Sequence, residues 1–240
     1  MLLLNHQLVP EGLPQGAPGC LTTADDLLNY INKVGFLPLF KNSILGFSAE
    51  EHTQNDAWWS GNPKTDPWEW RGFLAESGQI AYGKFFAKKA GFVAKQWFPL
   101  LASYRRDGYD FDSRYEDGLA NRKAKKLYDI LEKDGPTASP ALKKQGGFGK
   151  NGETGFETTM TTLQMQTYIV LRRFERKRNK HGDEYGWGVG QYSLAEDLWN
   201  ADFVKSAYNT PAPAAKQQLL AQVKLHFPGY TDEEYLKEIK

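Results

Sequence analysis

The period of the apolar residues changes at Gln166, and that change limits the fold more than any other feature of the chain. Upstream, Phe156, Met160 and Leu163 recur at i, i+4 and i+7, the spacing of one helix face, and the other side offers Thr158, Thr161, Thr162 and Gln164. Downstream, "TYIVLRRF" is β-branched and aromatic, with Tyr168, Val170 and Phe174 on one side of a strand and Ile169 and Leu171 on the other. "YGWGVGQY" alternates in the same way, and its glycines at 186, 188 and 190 all point one way. A strand face without side chains lets a neighbour's bulky groups lie on the backbone, and Tyr168, Val170 and Phe174 are the expected occupants.

Two more helices precede this switch. Ala124, Leu127, Tyr128 and Leu131 fall on one face of a helix whose other face carries Arg122, Lys123 and Lys126, and Ser139-Pro140 opens a short helix closed by Gly146 and Gly147. Three short helices followed by a β-hairpin make the winged helix-turn-helix arrangement, predicted here for residues 114–199. Residues 1–21, with Pro10, Pro14 and Pro18, read as an irregular lead-in. Residues 22–113 read as a helical, Trp-rich region. In it Thr23 and Asp26 start a helix bearing Leu27, Leu28, Ile31 and Val34. From Arg71 to Ser103 the pattern is helical, with Lys84, Lys88 and Lys89 sharing one solvent-facing side. Residues 200–240 supply packing helices, one burying Leu219, Leu220, Val223 and Phe227, the last opened by a Thr231–Glu234 capping box. The expected fold class is mostly α within an α+β whole.

Composition narrows the function. At 240 residues and 40% hydrophobic, the chain is long enough for one large core or two small ones. The single Cys20 excludes an intramolecular disulfide and a thiolate-rich zinc site, and His6, His52, His181 and His226 lack metal-ligand spacing, so neither metal nor cofactor is expected. No apolar run spans a bilayer and "MLLLNHQ" is too short for a secretory signal, which predicts a cytoplasmic protein with no membrane partner.

The net charge of +1 conceals an uneven distribution. Residues 114–180 hold fifteen Lys and Arg against eight Asp and Glu, a local excess of +7, whereas residues 1–70 hold three against eight. The expected partner is duplex DNA. Arg172, Arg173, Arg176, Lys177, Arg178 and Lys180 would line the wing, Lys143 and Lys144 would touch phosphates, and Thr158, Thr161, Thr162 and Gln164 would face the groove. The alternative is a protein-interaction module whose charges keep a hairpin edge soluble.

The wider pattern "DPWEWR…AYGKFFAKKAGF…WFPLLASYRRDGYDFD…LQMQTYIV…YGWGVGQY" resembles the AlkZ-like DNA glycosylase family, and in particular its short AlkZ-related members, over about Leu27 to Trp199. The resemblance implies winged-helix modules and excision of alkylated or crosslinked bases. The family's catalytic Gln-x-Gln or Gln-x-Asp corresponds here to Pro38-Leu39-Phe40, and Lys88 stands where crosslink-unhooking relatives have a histidine. Gln164-Met165-Gln166 is a Gln-x-Gln, but it lies at the end of the third helix. The resemblance therefore implies a DNA-binding relative without the usual catalytic pair. The alternative is an active glycosylase with a relocated site, for which "AEEHTQNDAWW" supplies Glu50, Glu51, His52 and Asp56 as acid–base candidates. Trp58, Trp59, Trp68 and Trp70 would then line a pocket for a flipped base; otherwise they plug the core.

Overall fold

The computed structural model describes residues 2–4 and 7–239, without the side chains of residues 2–4, 7–9, 177, 178, 184 and 187. The chain opens with β1 (Leu2–Leu4), β2 (Gln7–Val9), α1 (Ala24–Val34), β3 (Phe36–Pro38) and α2 (Pro67–Ser77). A hairpin of β4 (Ile80–Phe86) and β5 (Lys89–Ala94) leads to α3 (Phe98–Arg106) and α4 (Phe111–Glu116). Next come α5 (Arg122–Asp134), β6 (Thr137–Ala138), α6 (Ser139–Gln145), α7 (Phe156–Met165), β7 (Ile169–Arg178) and β8 (Glu184–Leu194). The chain closes with α8 (Ala195–Leu198), α9 (Ala201–Val204), α10 (Ala212–His226) and α11 (Asp232–Ile239). The fold is α+β.

One sheet runs through the molecule in the order β3-β5-β4-β7-β8-β6, with every neighbouring pair antiparallel. It serves two apolar cores. The larger gathers α1, β3, α2, β4, β5, α3, α10 and α11 around side chains such as Ile31, Leu37, Trp70, Phe85, Phe92, Phe98 and Leu219. The smaller is built from Phe111, Leu127, Leu131, Leu142, Phe156, Met160, Leu163, Tyr168 and Ile169. Each buried Leu or Phe contributes about 1.5–3 kcal/mol. The sheet halves meet where β4 pairs with β7 through Tyr82 and Leu171, and Tyr192 packs against both cores.

Local sequence explains many of these elements. Thr23 and Asp26 form the expected capping box, Leu27, Leu28, Ile31 and Val34 are buried, and Gly35 ends the helix at φ 92°. On β8, a Cβ at Gly188 would lie 3.0 Å from the Phe174 Cβ, so Phe174 does lie over that bare backbone. Gly190 is covered by Leu171 and Tyr192 instead. In the 1–21 segment, expected to be irregular, the described residues pair β1 with β2, and Leu13 and Leu21 bridge to Gln54 and Thr53. Trp58 and Trp70 are buried, while Trp59 and Trp68 are half-buried against Phe40 and Trp58. The Asp66 carboxylate accepts the N–H groups of Trp59, Gly61 and Trp68, which fixes the loop that carries them.

The helical pattern expected from Arg71 to Ser103 holds only at its ends. Between α2 and α3 the chain forms the β4–β5 hairpin, turning at Ala87 and Lys88 with φ of 47° and 68°. β4 is buried on both faces, so its apolar run shows no alternation, and the turn has no Gly or Asn to announce it. Lys84, Lys88 and Lys89 therefore occupy a strand, a turn and a strand rather than one helix face. Among the described residues no helix is long and apolar enough to cross a membrane.

Candidate nucleic-acid interface

α7 is amphipathic in the manner its spacing predicts. Phe156, Thr159, Met160, Leu163 and Gln164 face inward, Glu157, Thr158 and Thr162 are exposed, and Thr161 is half-buried. Its outer face forms an open cleft of about 790 Å³ with the β4–β5 turn at Ala87 and Lys88 and with Lys237 of α11. Lys84 Nζ donates to Thr161 Oγ1 at 3.3 Å, and the Thr162 hydroxyl donates to the Thr158 carbonyl at 3.0 Å. Each hydroxyl oxygen keeps a free lone pair for a ligand.

Gln164 does not join that face. It is 2% exposed; its Oε1 accepts the Lys84 N–H at 3.0 Å and its Nε2 donates to the Met160 carbonyl at 3.1 Å. This is a correction to the groove-facing role expected from sequence. A Cβ on Gly83 would sit 3.2 Å from Gln164 Oε1, so the glycine makes room for the amide that joins α7 to β4. The i+4 relation to Met160 was the signal available in the sequence. Gln166 reaches the surface at the helix end, half-buried on the same cleft.

At the other end of α7 lies a second concavity of about 420 Å³, lined by Lys143, Lys150, Glu153, Glu157 and Thr158 among others. Lys143 and Lys144 are exposed on α6, with the Lys143 ammonium 5.9 Å from the Phe156 ring centre. Nearby, Glu153 is held by Arg122 at 2.5 Å and Lys123 at 3.3 Å. Thr158 and Glu157 border both hollows, so the two form one continuous surface along the helix. Lys88, Lys143, Lys150 and Lys237 line it, Lys84 bonds to Thr161 on it, and Lys144 follows Lys143 in α6; none of the six is ion-paired to a carboxylate among the described residues. Lys84, Lys150 and Lys237, and the turn that presents Lys88, lie outside the DNA-contacting set expected from sequence.

The arm of the β7–β8 hairpin differs. Arg172 donates to the Asp197 carbonyl at 3.1 Å, Arg173 contacts Glu175 and lies 3.9 Å from Glu76, and Arg176 pairs with Glu69 at 3.0 Å. Two acids from α2 thus cover cations that the charge count treats as free. Lys180 is exposed in the turn, whereas the Lys177 and Arg178 side chains lie outside the described residues.

The acid–base candidates are tied into their own loop. Glu51 accepts the Gly46 N–H at 3.0 Å and the Ser48 hydroxyl at 2.6 Å. His52 Nε2 lies 2.9 Å from the Tyr30 hydroxyl and 2.7 Å from the Gly46 carbonyl. Burial, with Glu51 nearby, pushes the Tyr30 hydroxyl up to about 12. Asp56 is exposed and accepts from Gln54, and the buried Glu50 accepts the N–H groups of Glu11 and Lys41. Pro38 and Leu39 are buried, and Phe40 packs on Trp58 and Trp68. Among the described residues no group of three or more His, Cys, Asp or Glu is arranged to hold a metal ion.

No curated protein and no solved structure matches the chain. A family model described as "AlkZ related" matches residues 21–240, which include both cores and the whole α7 surface. The chain belongs to the AlkZ-related family.

Proposed function

We propose that residues 114–199 form a winged helix-turn-helix unit that binds duplex DNA through the outer face of α7. The order α5, β6, α6, α7, β7, β8, with β6 pairing to β8, supports that reading of the unit. One observation carries the DNA reading: Thr158, Thr161 and Thr162 stand among Lys84, Lys88, Lys143, Lys150 and Lys237, none of them ion-paired with a described carboxylate, with Glu157 the acid on the same surface. Threonine hydroxyls bond to base edges or phosphates, and lysines that meet phosphates release counterions. The β4–β5 turn grips one side of the duplex and the α6–α7 loop the other. The wing contributes through its tip at Lys180, with Lys177 and Arg178 beside it in sequence, while Arg172, Arg173 and Arg176 brace its base.

The family relationship supports a DNA glycosylase-related function, and we read the chain as a cytoplasmic binder that does not cleave. Pro38-Leu39-Phe40 offers no side chain that positions a water, and Glu51 and His52 are already engaged in the loop that holds them. Fluorescence anisotropy with duplex DNA at two salt concentrations tests binding: affinity falls steeply with salt, and an absent or salt-indifferent signal rejects the proposal. Incubation with alkylated duplex yields no abasic product; a product lost in His52→Ala or Glu51→Ala would restore the excision reading.

A further inference from the structure

Arg71 is a buried charge that the α7 surface does not use. It stands on α2 at 8% exposure, with its guanidinium carbon 3.6 Å from the Trp68 ring centre and 3.9 Å from the Phe174 ring centre. No carboxylate of the described residues forms an ion pair with it, and its Nε is shut away from solvent without an acceptor. Burial lowers its pKa, against the opposing pull of Tyr82, Glu69 and Asp66.

The side chain lines a cleft of about 130 Å³ between α2 and the outer half of the β7–β8 hairpin, walled by Trp68, Phe174 and the bare backbones of Gly72 and Gly188. Glu69 and Glu76 also line it, but Arg176 holds the first at 3.0 Å and Arg173 lies 3.9 Å from the second. Arg71 is therefore the charge in the cleft without a carboxylate at ion-pair distance among the described residues; the Tyr82 hydroxyl and the more distant Glu69 and Asp66 offset its burial only in part. A guanidinium carries five N–H donors and no acceptor, and two flanking rings return only part of what a charge loses on leaving water. An oxyanion completes such a site by accepting parallel N–H bonds. The volume suits one group of phosphate size. Phe73, 47% exposed at the same cleft, offers a ring face to whatever that group is attached to.

We propose that this cleft binds a nucleotide, its phosphate on Arg71 and its base against Phe73. The site is separate from the α7 surface and does not rest on duplex binding. The same contacts serve a free mononucleotide and one unit of a single strand.

Calorimetric titration of the full chain with dAMP tests this. Saturable one-to-one binding is expected, weakened about tenfold or more by Arg71→Met, which keeps an unbranched stem between the rings and removes the charge. Removing an unpaired buried charge leaves the melting temperature at or above that of the parent. Phe73→Ala, at a partly exposed position, weakens dAMP by about threefold and leaves inorganic phosphate unchanged, so the site remains testable even if Arg71→Met fails to fold. An unphosphorylated single-stranded oligonucleotide distinguishes the sources: Arg71-dependent binding tighter than that of dAMP points to a strand, weaker binding to the free nucleotide. Failure of both ligands to saturate at millimolar concentration, binding that survives Arg71→Met, or a Phe73→Ala protein that binds dAMP like the parent overturns the proposal.

Discussion

The arginines of β7 and the lysines around α7 carry the same sign of charge, yet their surroundings divide them. Arg173 and Arg176 lean on α2, where Glu76 and Glu69 meet them, and Arg172 is spent on a backbone carbonyl. Lys84, Lys88, Lys143, Lys144, Lys150 and Lys237 come from four separate regions of the chain and form no ion pair with a described acid, although Glu157 lies on the same surface. A local charge count ranks the first group higher because it is contiguous. Tertiary structure reverses the order, since an ion pair formed within the fold leaves little charge for a polyanion.

That contrast can be broken by mutation. The largest effect is expected from Lys88→Glu, Lys143→Glu and Lys144→Glu combined, which should weaken duplex binding at low salt by about 100-fold or more and flatten its salt dependence. An unchanged affinity in anisotropy would remove α7 from the interface. Next, Gln164→Ala leaves the part-buried Lys84 N–H without its acceptor and should cost about 1–3 kcal/mol in urea denaturation. A neutral result would mean that the α7–β4 tie contributes nothing. Glu69→Gln with Glu76→Gln would unmask the arginines and should tighten duplex binding by about threefold at low salt. Smallest of all, Arg173→Gln should change stability by less than about 1 kcal/mol and affinity by less than about twofold, because its pairs are exposed.

The sequence was most legible where one period ran unbroken. α1 with its capping box, the inward faces of α5 and α7, and the β7–β8 hairpin all follow from residue spacing and are present. The β4–β5 hairpin was not legible, because burial on both faces erases alternation and Ala87-Lys88 turns without the usual glycine. For the candidate site, Thr158 and Thr162 stand where the helical wheel puts them, whereas Gln164 turned inward on the same face as Met160. The partners of Arg176 and Arg173 lie 107 and 97 positions away in sequence, beyond the reach of any local pattern. Lys237 reaches α7 only because the C-terminal helix folds back, which no motif announces.

Tyr192 touches the larger core and the smaller one at once, on a sheet whose halves meet at Tyr82 and Leu171. A side chain shared in this way makes the two halves interdependent: loosening either strips contacts from a ring on which the other relies. Thermal unfolding should therefore proceed as a single cooperative event, and the helix that faces the lysines inherits its rigidity from residues far outside the 114–199 segment.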